Sequence, residues 1–247
     1  MNNLHLSFSL SVTTLCSLAT AQGGPPLLTD DPGTVESGKW ELNMAWIYRR
    51  LPGSSEIELP HFDASRGISD RAHLKLEVPW VFAMDGSSSV NGDGGGSTGI
   101  KYRFIDAKGC RPSVSTYPQI GFQLSSRSVS NGLASSGTSL LIPIQVQWDF
   151  DRFSVNVDSG YIIQGGAGPS WLGGIAVGRK VGACEYLAEL HGEGVFATGE
   201  SNWIAQLGHR RELSEAATLI FAFGKTIASN KSENLSWTSY LGVQFHF

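Results

Sequence analysis

Trp40-Glu41-Leu42-Asn43-Met44-Ala45-Trp46-Ile47-Tyr48-Arg49 alternates large apolar side chains with a second set that is partly polar. Successive side chains of an extended strand point to opposite faces, so this stretch predicts a strand with one apolar face and one mixed face. The same period of two recurs in Leu74, Leu76, Val78, Trp80 and Phe82, and in Ile100, Tyr102 and Phe104 around Lys101 and Arg103. It returns in Leu140, Ile142, Ile144, Val146 and Trp148, in Phe153, Val155 and Val157, and finally in Trp237, Ser239, Leu241, Val243, Phe245 and Phe247.

With weaker segments added, strands are expected at 39–50, 56–65, 71–83, 97–106, 113–125, 138–149, 152–164, 171–180, 184–195, 202–211, 215–227 and 236–247. Most run about 10–13 residues, against about 9–11 for a tilted membrane strand and about 5–6 in soluble sheets. Short connections at 66–70, 107–112, 150–151 and 181–183 alternate with long ones at 84–96 and 126–137. That is the pattern of periplasmic turns and outer loops in bacterial barrels. The Ser/Gly-rich stretches Asp85–Ser97 and Ser125–Gly137 read as flexible loops. Trp40, Tyr48, Trp80, Trp148, Tyr161, Trp171, Trp203 and Trp237 lie near strand ends, as in an interfacial aromatic girdle. The expected fold is all-β: a closed antiparallel transmembrane barrel of twelve strands with both termini periplasmic. The alternative is a soluble sandwich burying the same faces against each other.

Composition narrows the field. Only 16% of residues are charged, with 30 Gly, which excludes coiled coils and helical bundles rich in Ala, Glu, Lys and Leu. A net charge of −4 leaves no basic footprint for nucleic acid. Downstream of residue 21, no apolar run reaches the roughly 18 residues that a membrane helix needs. Residues 4–18 are largely apolar and lead to Ala19-Thr20-Ala21, the form of a secretory signal cleaved after Ala21, although no Lys or Arg precedes it. The chain thus divides into a signal peptide (1–21), a periplasmic N-terminal segment (22–37) and an outer-membrane barrel (38–247). Cys110 and Cys184 remain after cleavage, and their separation by four strands predicts that both are free.

Two stretches resemble the bacterial barrels assigned to the MetA pathway of phenol degradation, a family of transporters. The first is Gly24-Pro25-Pro26-Leu27-Leu28-Thr29-Asp30-Asp31-Pro32, followed by Gly38-Lys39-Trp40-Glu41; the second is Gly99-Ile100-Lys101-Tyr102-Arg103-Phe104 with Tyr117-Pro118-Gln119. Leu187-Ala188-Glu189-Leu190-His191 is a looser match. The resemblance implies an outer-membrane barrel of Gram-negative bacteria that admits small hydrophobic or aromatic compounds. The terminal Phe247 likewise resembles the signature that delivers such barrels to their assembly machinery.

If the apolar faces meet lipid, the lumen receives Glu41, Arg49, Lys75, Glu77, Lys101, Arg103, Gln145, Asp158, Glu185, Glu189, His191 and Arg210. These charges either set up a transverse field across a narrow pore or pair with one another and fill the interior. Barrel size favours the second, since eight strands leave a filled interior and about 16–18 an open channel. Asp30 and Asp31 precede the first strand among Pro25, Pro26 and Pro32, which exclude a helix or a central strand there. The segment reads as a solvated tail or, alternatively, as a constriction folded up into the lumen.

No catalytic motif is complete. Gly224-Lys225-Thr226 lacks the first glycine of a phosphate loop, that position being Leu219. His61-Phe62-Asp63 and His191-Gly192-Glu193 each offer two ligands where a metal needs three or four. The expectation is a monomeric non-enzymatic channel or transporter without cofactor, partnered by outer-membrane lipid and lipopolysaccharide, the assembly machinery and a small solute. Two other readings are a non-conducting surface barrel whose loops 84–97 and 125–137 bind a partner, and a lipid-modifying enzyme.

Overall fold

The computed structural model describes residues 25–165, 168–231 and 235–247; the export signal expected at 1–21 lies outside them. The strands are β1 (Trp40–Arg50), β2 (Ser54–Ser69), β3 (Ala72–Asp85), β4 (Ser88–Asp93), β5 (Gly95–Ile105), β6 (Ser113–Thr116), β7 (Gln119–Gln123), β8 (Ser139–Asp149), β9 (Ser154–Gln164), β10 (Ser170–Val181), β11 (Cys184–Val195), β12 (Ser201–Ser214), β13 (Ala217–Ser229) and β14 (Trp237–His246). β4 and β5 both pair with β3 and form one stave interrupted at Gly94. β6 and β7 form another, interrupted at Tyr117 and Pro118, between β5 and β8. The fourteen segments therefore make a twelve-stranded antiparallel barrel. It closes where β1 pairs with β14, from Glu41 opposite His246 to Arg50 opposite Trp237. Closure leaves no unpaired edge, the condition for a sheet in a medium that cannot hydrogen-bond to backbone.

Polarity is inverted relative to a water-soluble protein. Asn43, Asp63, Lys75, Glu77, Lys101, Gln145, Asp158 and Glu189 are buried, whereas Leu74, Leu76, Ile100, Ile142, Phe221 and Leu207 are exposed. Asp63 is 2% accessible and Leu207 68%. The alternation noted in the sequence thus puts apolar side chains outside and charges inside. The 11 residues of β1, at about 3.3 Å rise and about 40° tilt, reach about 28 Å. That covers the roughly 25 Å apolar band of an outer-membrane barrel.

The connections depart from the expected long–short alternation. The Ser/Gly stretch expected as a loop at 84–96 is a hairpin, β3 running to Asp85 and β4 starting at Ser88. Ladder hydrogen bonds between the two strands, from Trp80 opposite Asp93 to Asp85 opposite Ser88, hold a composition that by itself favours coil. The stretch 125–137 does join β7 to β8 as a connection, but it is folded: Ser125 caps the short helix α1 (Ser126–Ser130) by accepting from the Ser128 amide, and Leu133 and Ala134 are buried. Cys110 and Cys184 are both free.

Candidate functional site

One arc of the lumen, built by β1, β2, β3 and β5, pairs its charges side chain to side chain. Register sets the partners: Asn43 lies opposite Asp63, and Asp63 opposite Glu77. Lys75 Nζ stands 3.0 Å from Asp63 Oδ2 and 2.6 Å from Glu77 Oε1, and Ser97 Oγ donates to Glu77 Oε2 at 3.1 Å. Nearer the far end, Arg49 donates to Glu56 at 2.8 Å and also bonds Glu58, whose other oxygen lies 2.6 Å from His61 Nδ1. Buried charges persist only when so matched. Tyr117, fully buried, lies under two of the cations, with Lys75 and Lys101 Nζ at 5.8 and 5.6 Å from its ring centre.

The facing arc, β8 to β12, works differently because the N-terminal segment lies against it inside the barrel. Glu189 Oε1 and Oε2 accept from the Leu28 and Thr29 amides at 2.9 and 2.8 Å, and Asp158 Oδ2 accepts from the Asp30 amide at 3.0 Å. Gln206 also donates to Glu189 Oε1, at 2.5 Å. Arg210 donates through Nε to the Pro25 carbonyl at 2.9 Å and contacts Glu185 at 3.3 Å. The Asp30 side chain ties the arcs together, accepting from Lys101 at 2.8 Å and Gln145 at 3.2 Å. Val35 N–H donates to His73 Nδ1, and Arg103 donates to Thr34 at 2.8 Å. The expectation of a solvated tail is therefore corrected for 25–35: Leu27, Thr29, Asp30 and Pro32 are buried, since carboxylates on two strands take up amides that proline-rich extended chain cannot satisfy itself. Burial pushes the Asp31 carboxyl up, but Lys101 and Arg210 with the Gly33 amide overcome it and hold it below the ordinary value of 3.8.

Two glycines make room for the segment. A Cβ on Gly174 would lie 2.1 Å from Thr29 Oγ1, and one on Gly67 would lie 1.8 Å from the Glu36 carbonyl oxygen. Around Gly174, the buried Thr29 Oγ1, Asp158 Oδ1 and His191 Nδ1 have no hydrogen-bond partner among the described residues.

The twelve lumen residues expected from the sequence all lie on inward faces. Arg49, Lys75, Glu77, Lys101, Gln145, Asp158 and Glu189 join the networks above. Glu41 and Arg210 border a cavity of about 180 Å³ between the N-terminal segment and the β1–β2–β14 wall. Arg103 and Glu185 sit toward the terminal mouth, and His191 is buried beside Gly174. Asp30 and Asp31 line the same cavity. Sequence reading missed Glu56, Glu58, His61 and Asp63 as one polar row. A register shift between Glu58 and His61 moves the inward positions from even to odd numbers, which hides the alternation. Leu59-Pro60 at that point is the one visible signal, because a proline inside a strand marks a bulge or an edge.

No protein-family model and no curated protein sequence matches the chain. Solved structures do match. An outer membrane channel from Pseudomonas putida F1 superposes with a TM-score of 0.70 at 9% identity, over 88% of this chain and 98% of that one. The NanC porin gives 0.61 at 13% identity, over 83% and 98%. The KdgM porin in complex with disordered oligogalacturonate gives 0.59 at 11% identity, over 83% and 99%. The chain has the fold of outer-membrane porins and channels. At these identities the likeness is one of architecture, and the resemblance to the MetA-pathway barrels continues to rest on the stretches quoted for it.

Proposed function

We propose that the chain is an outer-membrane channel for small solutes, exported by residues 1–21, with both termini periplasmic and the segment 25–35 as its constriction. The observation that carries this reading is the inverted barrel whose charged interior is crossed by its own N-terminal segment and still holds a cavity beside it. The fold shared with the Pseudomonas putida F1 channel and the two porins supports the channel class. Outer-membrane lipid and lipopolysaccharide surround the apolar belt, the assembly machinery reads the terminal strand ending in Phe247, and the working unit is a monomer.

For the solute, the lumen offers two environments. Leu141, Ile162 and Leu172 form an inward apolar cluster at the end away from the termini. That lining supports the small hydrophobic or aromatic compounds that the MetA-pathway resemblance implies. The ionic half next to the termini then acts as the filter. Planar-bilayer recording tests the whole: the folded chain should give small discrete conductance, and a variant lacking 25–35 a conductance about an order of magnitude larger. Silence from both, with heat-modifiable migration proving the barrel folded, would sink the channel in favour of a surface barrel.

A further inference from the structure

The cavity beside the N-terminal segment has an unbalanced set of polar atoms. Four carboxylates border it, those of Asp30, Asp31, Glu41 and Asp63. Its three cations are already engaged, two of them partly by carboxylates outside it, Glu77 and Glu185. Lys75 is shared between Asp63 and Glu77, Lys101 between the Asp30 carboxylate and the Asp31 carbonyl, and Arg210 between Glu185 and the Pro25 carbonyl. What is left over is acceptors. Asp63 Oδ2 takes Asn43 and Lys75, while its Oδ1, on a side chain 2% accessible, has no hydrogen-bond partner among the described residues. Glu41 at the rim meets His246 at 3.6 Å, beyond hydrogen-bond length. Buried acceptors are ordinarily matched by donors, from protein, water or ligand.

We propose that this cavity binds a small primary-ammonium solute, with the ammonium on Asp63. An ammonium carries three donors and no acceptor, the complement of what the site lacks. A carboxylate ligand would bring more acceptors to a wall whose cations are taken. The volume of about 180 Å³ equals about six waters at about 30 Å³ each, room for a chain of about six heavy atoms. The same wall carries polar groups for a hydroxyl at the other end of such a chain, Ser65 along β2 and Gln244 across β1. Delivery of the solute from outside the cell rests on the channel reading above; the binding itself does not.

The test uses the full mature chain folded in detergent, titrated calorimetrically with three solutes of one shape: 4-amino-1-butanol, 1,4-butanediol and 4-hydroxybutyrate. The amine should bind saturably and at least tenfold more tightly than the diol or the acid. D63N should lose about tenfold in affinity for the amine, whereas E212Q, which removes one charge from an exposed pair with Lys180, should lose nothing. If D63N does not fold, E41Q at the rim carries the same test with a loss of about threefold. The inference is overturned if the diol or the acid binds as well as the amine, or if E212Q weakens the amine as much as D63N. It is equally overturned if no solute binds, which would leave a cavity filled by water alone. Amine binding without any bilayer conductance would sink the channel and leave the site standing; conductance without binding would do the reverse.

Discussion

The two arcs of the lumen hold their inward carboxylates by different means. On β1–β3, Asp63 and Glu77 are neutralised by Lys75, and Glu56 and Glu58 by Arg49, all within the sheet. On β9 and β11, Asp158 and Glu189 take the backbone amides of Leu28, Thr29 and Asp30. The Asp63–Lys75–Glu77 and Arg49–Glu56–Glu58 groups are paired within the sheet, whereas Asp158 and Glu189 take their backbone donors from the N-terminal segment. An ion pair fixed in register belongs to the sheet itself, whereas a carboxylate that accepts peptide amides fixes where the N-terminal segment lies. The docking of the N-terminal segment thus rests on Asp158 and Glu189, which take its amides, and on Arg210, which donates to the Pro25 carbonyl.

The largest effect should come from the first arc. Lys75→Met leaves Asp63 and Glu77 buried without their shared cation, and losing one partner of a buried pair costs about 3–5 kcal/mol. The urea midpoint of the folded barrel should fall accordingly. An unchanged midpoint would mean that the pairing adds nothing and that the contrast between arcs is false.

Glu189→Gln should act on the segment instead. It replaces two charge-assisted bonds from backbone amides, worth about 1.5–3 kcal/mol each to a charged acceptor, by a single neutral one, because the new NH2 group cannot accept from the second amide. Loss of about 1.4–2.8 kcal/mol of docking shifts the closed-to-open balance about 10–100-fold. Open probability in bilayers should rise while the urea midpoint hardly moves. A fall in barrel stability equal to that of Lys75→Met would erase the distinction.

Gly174→Ala is a gentler probe of the same arc, since its methyl meets the Thr29 hydroxyl that now fills the space. More frequent openings are expected, smaller in effect than those of Glu189→Gln. Restoration by Thr29→Ala in the double variant would trace them to that contact, and a double variant as leaky as the single would refute it.

Acid gives the smallest shift. Docking lowers the Asp31 carboxyl below its ordinary value, so its contribution is complete above about pH 4 and fades as pH falls through the lowered value. Conductance should therefore rise only below about pH 4, and Asp31→Asn should blunt that rise. An acid response identical in the variant would assign it to other carboxylates.

The strand alternation around Trp40–Arg49 and Trp237–Phe247, together with strand length, points to a membrane-type barrel, because a period of two has only two faces and one of them is mostly apolar. It also separated Lys75, Lys101, Gln145, Asp158 and Glu189 from the lipid side. Where a bulge changes parity, between Glu58 and His61, the same rule fails and a polar row goes unseen. Where Gly and Ser dominate, at 85–97, composition reads as loop although ladder bonds make it a hairpin.

The sequence by itself determined which side chains share a face, since that depends only on local strand geometry. Only the tertiary structure decided what those faces enclose. Thr29-Asp30-Asp31 has the polarity of a solvated tail, and nothing near it in the chain argues otherwise. Lys101, Gln145, Asp158 and Glu189 are 71, 115, 128 and 160 residues away from their partners in it. They surround it because the sheet closes on itself, and closure is a property of all twelve staves at once.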